Sequence, residues 1–117
     1  LGRGANREVQ VSALSRGIKR DIAGALKLPV LLLSQVSNKL VESRSDKRIQ
    51  SSDTRESGAI TMDCDNMIAV HRPSVYDPSA PPGRGEAEVL VNRHGPTGRA
   101  NLGWRAGQWL ELEDGYG

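Results

Sequence analysis

Aromatic side chains are scarce in this sequence, which has two Trp, two Tyr and no Phe. Its core must therefore be built from Leu, Ile, Val and Ala. Cysteine is scarcer still. Cys64 stands alone, which excludes an internal disulfide and fits a reducing, cytoplasmic setting. No apolar run approaches the ~20 residues that span a bilayer, and no signal-peptide pattern opens the chain, so no membrane partner is expected. Excess charge is lacking too: a net +2 over 117 residues is too little to argue for nucleic acid by itself. There is no G-x-x-x-x-G-K-S/T phosphate loop and no G-x-G-x-x-G fingerprint. Cys64, His71 and His94 lack the spacing of zinc ligands, and Ser34 has no His/Asp arrangement for nucleophilic catalysis. The length allows one domain. An opening on Leu1 instead of Met suggests a fragment or a processed product.

What is present is uneven. Arg3, Arg7, Arg16, Lys19, Arg20 and Lys27 make the first quarter basic, whereas Glu111, Glu113 and Asp114 make the end acidic. From Asn6, the spacing of Val11, Leu14, Ile18, Ile22 and Ala25 predicts an amphipathic helix, which Pro29 ends by excluding residue 28 from the helical region. Gly17 and Gly24 each weaken it by ~1 kcal/mol relative to Ala. Val30-Leu31-Leu32-Leu33, apolar on both faces, reads as a central parallel strand. Ser34-Gln35 would then lie at its C-terminal end, where open α/β sheets bind ligands. Residues 37–53 show no period and nearly balanced charge, so they read as a long surface loop.

Asp53-Thr54-Arg55-Glu56 matches a capping box for a short helix reaching about residue 63. Gly58 is left over by that explanation. A glycine costs helix stability and permits close backbone approach. A strand is expected over 66–71. After a Pro- and Gly-rich loop (72–85), strand-like runs at 86–91, 99–104 and 108–112 are separated by HGPTG and by Ala106-Gly107. Such close spacing demands antiparallel hairpins. The expected fold class is mixed α/β: parallel central strands with flanking helices and a C-terminal antiparallel extension.

In order and spacing, LPVLLLSQVS, SDTRESGAITMDCDN and NRHGPTG resemble the C-terminal motor domain of the DnaB family, the ring-shaped replicative DNA helicases of bacteria and their phages. The resemblance runs from about Asn6 to Glu113, and its RESG-x-I-x-x-D-x-D segment is its most specific part. It implies a partial RecA-like fold over residues 1–117, a single ATPase domain whose phosphate-loop half would precede Leu1. The implied activity is ATP-driven translocation on single-stranded DNA and duplex unwinding inside a homo-hexamer. ATP and Mg2+ would be bound mainly by the absent half. A helicase loader and primase are further candidate partners.

By the same resemblance, Gln35 matches the sensor of the γ-phosphate, a task suited to an amide that both donates and accepts. Arg55, Glu56 and Gly58 match the segment that meets the DNA backbone. There Arg55 would neutralise a phosphate and Gly58 would admit main-chain amides to another. Arg93 matches the arginine inserted into the neighbouring subunit's ATP site, where a guanidinium offsets charge on the transferred phosphoryl group. Two positions depart from the family pattern: Val91 stands where a Lys is usual, and His94 where an Asn is usual. A rival expectation is a catalytically inactive, truncated module that binds helicase subunits or DNA.

Overall fold

Short turns dictate the architecture of the second half of the chain. The computed structural model describes residues 3–53 and 58–112, with side chains from residue 7 onward. Strands β1 (Asn66–His71), β2 (Arg84–Asn92), β3 (Gly98–Arg105) and β4 (Gln108–Glu111) lie side by side in chain order. Every neighbouring pair is antiparallel, and the β2–β3 and β3–β4 connections are too short to carry a parallel crossover. The β3–β4 turn consists of Ala106 and Gly107 at φ +49° and +81°. Two positive φ values in a two-residue loop give the primed turn whose twist matches that of paired strands. Between β1 and β2 the register slips. Met67 faces Val91 but Ile68 faces Val89, so Leu90 is an extra residue that bends the β2 strand.

Both tryptophans sit at one end of this sheet. Trp104 and Trp109 meet edge to face with centroids 4.9 Å apart, and the Arg72 guanidinium lies 4.2 Å over Trp104. Gly85 of β2 lies directly under the Trp109 indole. A Cβ there would collide with that ring and meet the His71 carbonyl oxygen at 3.3 Å. The glycine is required by close approach, not by its backbone angles.

Helix α1 (Arg3–Gly17) passes straight into a π-helical segment, Ile18–Gly24. The wider turn is visible where the Ala25 amide donates to the Arg20 carbonyl, five residues back, at 3.0 Å. The helix ends through Lys27, at φ +54°, two residues before Pro29. Helices α2 (Asn38–Ser43) and α3 (Ala59–Asp63) are short. The Ser15 hydroxyl, which is buried, donates to the Asp63 carboxylate at 2.9 Å and seats α1 on α3.

One expectation is met only in part and two are corrected. The helices and sheet make an α/β chain, but every strand pair among the described residues is antiparallel. The run 30–33 belongs to no strand, and Leu31 and Leu33 are 91% and 88% exposed. A strand apolar on both faces needs cover on both, and no described element provides it. The loop 37–53 is not merely solvated either. It contains α2 and two fully buried side chains, Val41 and Asp53. The second correction concerns Asp53 as a helix cap. It ends a 3-10 turn, Ser51–Asp53, and its carboxylate takes both guanidinium nitrogens of Arg44 and, at 2.8 Å, the Gln50 amide. A forked, charge-assisted pair outcompetes a neutral helix amide. Helix α3 begins at Ala59, with Gly58 as its N-cap and no side-chain cap. The other half of the expected capping box, Glu56, lies outside the described residues.

Candidate functional site

Arg93 is positioned from two sides. It follows β2 at the mouth of the β2–β3 hairpin, and its amide donates to the Asp65 carbonyl at 2.9 Å. Its side chain folds back across the end of α3. One terminal nitrogen pairs with the Asp65 carboxylate at 3.0 Å. The other donates to the carbonyls of Met62 and Cys64 at 3.3 and 3.4 Å. The last carbonyls of a helix lack partners along the chain and carry partial negative charge, so a guanidinium suits them. Arg93 still keeps 45% of its side-chain surface exposed.

The same Asp65 oxygen also accepts from Lys19 Nζ at 2.5 Å. Lys19 lies in the π-helical segment, so one carboxylate joins the first helix to the hairpin mouth. The Lys19 hydrogen bond, with Arg93 adding its charge, holds the Asp65 carboxyl below its ordinary range. Burial pushes the neighbouring Cys64 thiol up, which keeps it neutral. In the sequence Asp63 and Asp65 stand out only as the two Asp of the RESG-x-I-x-x-D-x-D segment. The signal that could have found them is their partners' spacing: Ser15 and Lys19 lie four apart, on one face of a helix.

Neither Gln35 nor Gly58 is among the residues that hold Arg93. Gln35 is exposed in the extended segment after the apolar run, and Ser34 Oγ donates to its carbonyl at 3.3 Å. Arg55 and Glu56 lie outside the described residues. Gly58 is exposed, at φ −70° and ψ −12°, angles open to any residue. No atom lies within 4 Å of where its Cβ would be, so its value to a ligand would be open approach and not special dihedrals. Val91 faces Met67 across the β1–β2 ladder, and His94 is exposed in the hairpin loop.

A lock that sequence reasoning missed holds the segment 37–53. Beyond its pair with Arg44, Asp53 accepts through its carbonyl from the Ser37 amide at 3.0 Å. Arg44 also donates to the Arg48 carbonyl at 3.0 Å, and Arg48 grips Glu86 of β2 at 2.5 and 3.1 Å. Arg44 depresses the Asp53 carboxyl, and Arg48 does the same to Glu86. An open depression of about 290 Å³ lies beside this lock, lined by Asp46, Arg48, Gln50, Glu88 and Arg99. Its cations face its own carboxylates, with Arg99 at 3.3 Å from Glu88, so it does not suit an anion. Among the described residues no group of three His, Cys, Asp or Glu side chains is placed to hold a metal ion.

Residues 2–110 match the family model for the DnaB-like helicase C terminal domain. The replicative DNA helicase DnaB of Pasteurella multocida is 38% identical over 111 residues, 93% of this chain and 23% of that protein. Its counterpart in Mycobacterium leprae is 44% identical over 94 residues, 79% of this chain and 15% of that one. The chain thus spans roughly a fifth or less of these relatives' length, between 15% and 23%. Two solved structures, each 34% identical, superpose over 91% of the chain with a TM-score of 0.83. One is an ATPase domain, of which 38% is covered; the other is a DnaB-like replicative helicase studied with its interactions with primase, of which 26% is covered. With the family match spanning almost the whole sequence and the fold agreeing, this chain belongs to the DnaB-like helicase C-terminal domain family.

Proposed function

We propose that this chain is the trailing part of a replicative helicase motor that couples ATP hydrolysis to movement along single-stranded DNA within a hexamer. The observation that carries this reading is the apolar run 30–33, left outside the sheet with Leu31 and Leu33 turned to solvent and leading directly into Ser34-Gln35. Such a run is a sheet strand awaiting neighbours. In the proposed arrangement it lies parallel between β1, whose outer edge is open among the described residues, and the preceding half of a RecA-like ATPase domain. The 38% coverage of a solved ATPase domain fits that division.

Gln35 would then stand at the C-terminal edge of the sheet, facing the γ-phosphate. Arg93 would reach a neighbouring subunit's nucleotide from the hairpin mouth. A guanidinium that retains exposed surface while its amide is fixed to the chain suits that task, since it offers charge without a long search. Arg55, Glu56 and Gly58 would meet the DNA backbone after the locked loop. ATP and Mg2+ would be held mainly by the half of the domain that carries the phosphate loop. Single-stranded DNA, like subunits of the same protein, a loader and primase are the proposed partners, and the bacterial cytoplasm is the proposed setting.

The test is Arg93→Ala in the full-length protein. DNA-stimulated ATP turnover is expected to fall by about 10³-fold or more, with nucleotide binding in the altered subunit retained. Turnover near the wild-type rate would reduce Arg93 to an anchor for its own loop.

A further inference from the structure

We infer that Asp65 is a positioning residue for Arg93, and that through Lys19 it ties the arginine's resting place to the seat of the first helix. This inference rests on the proposed role of Arg93 in a neighbour's ATP site.

The geometry is specific. Arg93 is held by a carboxylate at 3.0 Å and by two carbonyls at 3.3 and 3.4 Å, all from the four residues Met62 to Asp65. That stretch is the end of α3, so the guanidinium sits on a helix terminus and not on a free loop. Its backbone is pinned to the same place by the Arg93 amide and the Asp65 carbonyl. The side chain can leave this cradle without moving the hairpin, because main chain and guanidinium are held by separate bonds. The two carbonyl bonds are long, which leaves the Asp65 pair as the strongest tie. That tie is divided: the same Asp65 oxygen serves Lys19 at 2.5 Å. When Arg93 moves to a phosphate, Asp65 keeps a cation and is not left uncompensated. Asp65 is half exposed, so water and Lys19 together satisfy its carboxylate once Arg93 has left. Lys19 therefore makes release of Arg93 easier, and Asp65 makes its return reproducible.

A positioning role predicts a loss in rate without a matching loss in nucleotide affinity. In the full-length hexamer, Asp65→Asn should lower the DNA-stimulated kcat by about 10-fold, within the range expected when a reacting group is misplaced by about an ångström. KM for ATP should change by less than about twofold. The discriminating measurement is a double-mutant cycle with Arg93→Lys, a variant expected to keep measurable turnover. If Asp65 acts through Arg93, the double variant loses much less than the product of the two single losses. If Asp65 only braces α1, the losses multiply, and the inference is overturned. Wild-type kcat for Asp65→Asn overturns it as well. Should Asp65→Asn fail to assemble, Asp65→Glu keeps the charge and the link to Lys19 and should give an intermediate kcat; a wild-type kcat there counts against the inference. Arg93→Ala is run in parallel to separate the two ideas. If it abolishes turnover while Asp65→Asn does not lower it, only the positioning role fails. If Arg93→Ala itself retains turnover, the underlying reading fails.

Discussion

The two ends of this chain solve the burial problem in opposite ways. From Asn66 onward, each strand pairs with the next in chain order, so the facing backbone donors and acceptors of neighbouring strands satisfy one another, although Ile68, Val70 and Leu110 stay exposed. From Ile18 to Leu33, the chain carries a helix and a purely aliphatic run, yet Ile22, Leu26, Leu28 and Val30 to Leu33 are all exposed. Exposed single aliphatics are ordinary, whereas a contiguous apolar patch marks a surface made to be covered. The contrast teaches which half is a finished unit. Short hairpins close on themselves, because each strand supplies its neighbour's partner. A lone apolar run cannot, because any strand it forms takes its partner from a distant segment.

The loop 37–53 sits between these halves, and the largest expected effect comes from breaking it. Asp53 has no exposed surface and pairs with Arg44 in a fork. Asp53→Asn should destabilise the 117-residue chain by about 3 kcal/mol, the usual cost of removing one partner from a buried pair, measured by denaturant unfolding. The pH dependence follows the same bond. Arg44 lowers the folded-state carboxyl below its ordinary value of 3.8, so as pH falls the unfolded chain takes up a proton first. Stabilisation from Asp53 is therefore complete above about pH 5 and is lost as pH falls through the depressed value. The Asn variant should lose that part of the acid sensitivity while keeping the parts due to Asp65 and Glu86. An acid limb identical to wild type would show that the pair contributes nothing.

Much of the meander was legible in the residues themselves. HGPTG and Ala106-Gly107 are turn chemistry, and turns of that length leave antiparallel pairing as the sole solution; the strand expected over 66–71 is found there as β1. The first helix was legible as well, but its face was not. Its 3.6-residue pattern assumed a regular helix, and the π-helical segment from Ile18 to Gly24 shifts every later residue around the axis. The Asp53–Arg44 fork was hidden because the partners lie nine positions apart along irregular chain, and local sequence offered a plausible helix cap instead. Arg93 was placed by family resemblance, but its cradle was not. Helix-end carbonyls leave no signature in side-chain identity, so Met62 and Cys64 could not have been picked out as its partners.

A smaller effect should come from crowding the finished half. Gly85 has no room for a methyl group under the Trp109 indole. Gly85→Ala should cost about 2 kcal/mol, typical of overpacking, and should raise the solvent exposure of a tryptophan by fluorescence. Trimming the ring is the control: in a Trp109→Leu background the same change should cost distinctly less, since the two residues share one contact. Equal costs in both backgrounds would mean that the indole swings aside freely, and that close approach does not explain the glycine.

The smallest effect is expected where the residues look most important by composition. Leu31→Ser and Leu33→Ser remove large aliphatic groups, a change that in a core costs a few kcal/mol. Here both side chains already face water, so unfolding of the 117-residue chain should shift by no more than about 0.5 kcal/mol. In the full-length protein the proposed sheet would bury them, and the same substitutions should then destabilise the motor by several-fold more. Hydrogen exchange gives the same contrast without mutation: amides of 30–33 should exchange fast in the isolated chain and slowly in the complete one, while β2 amides are protected in both. Fast exchange of 30–33 in the complete protein would remove the parallel strand from the proposal, and Gln35 would lose its place at the sheet edge.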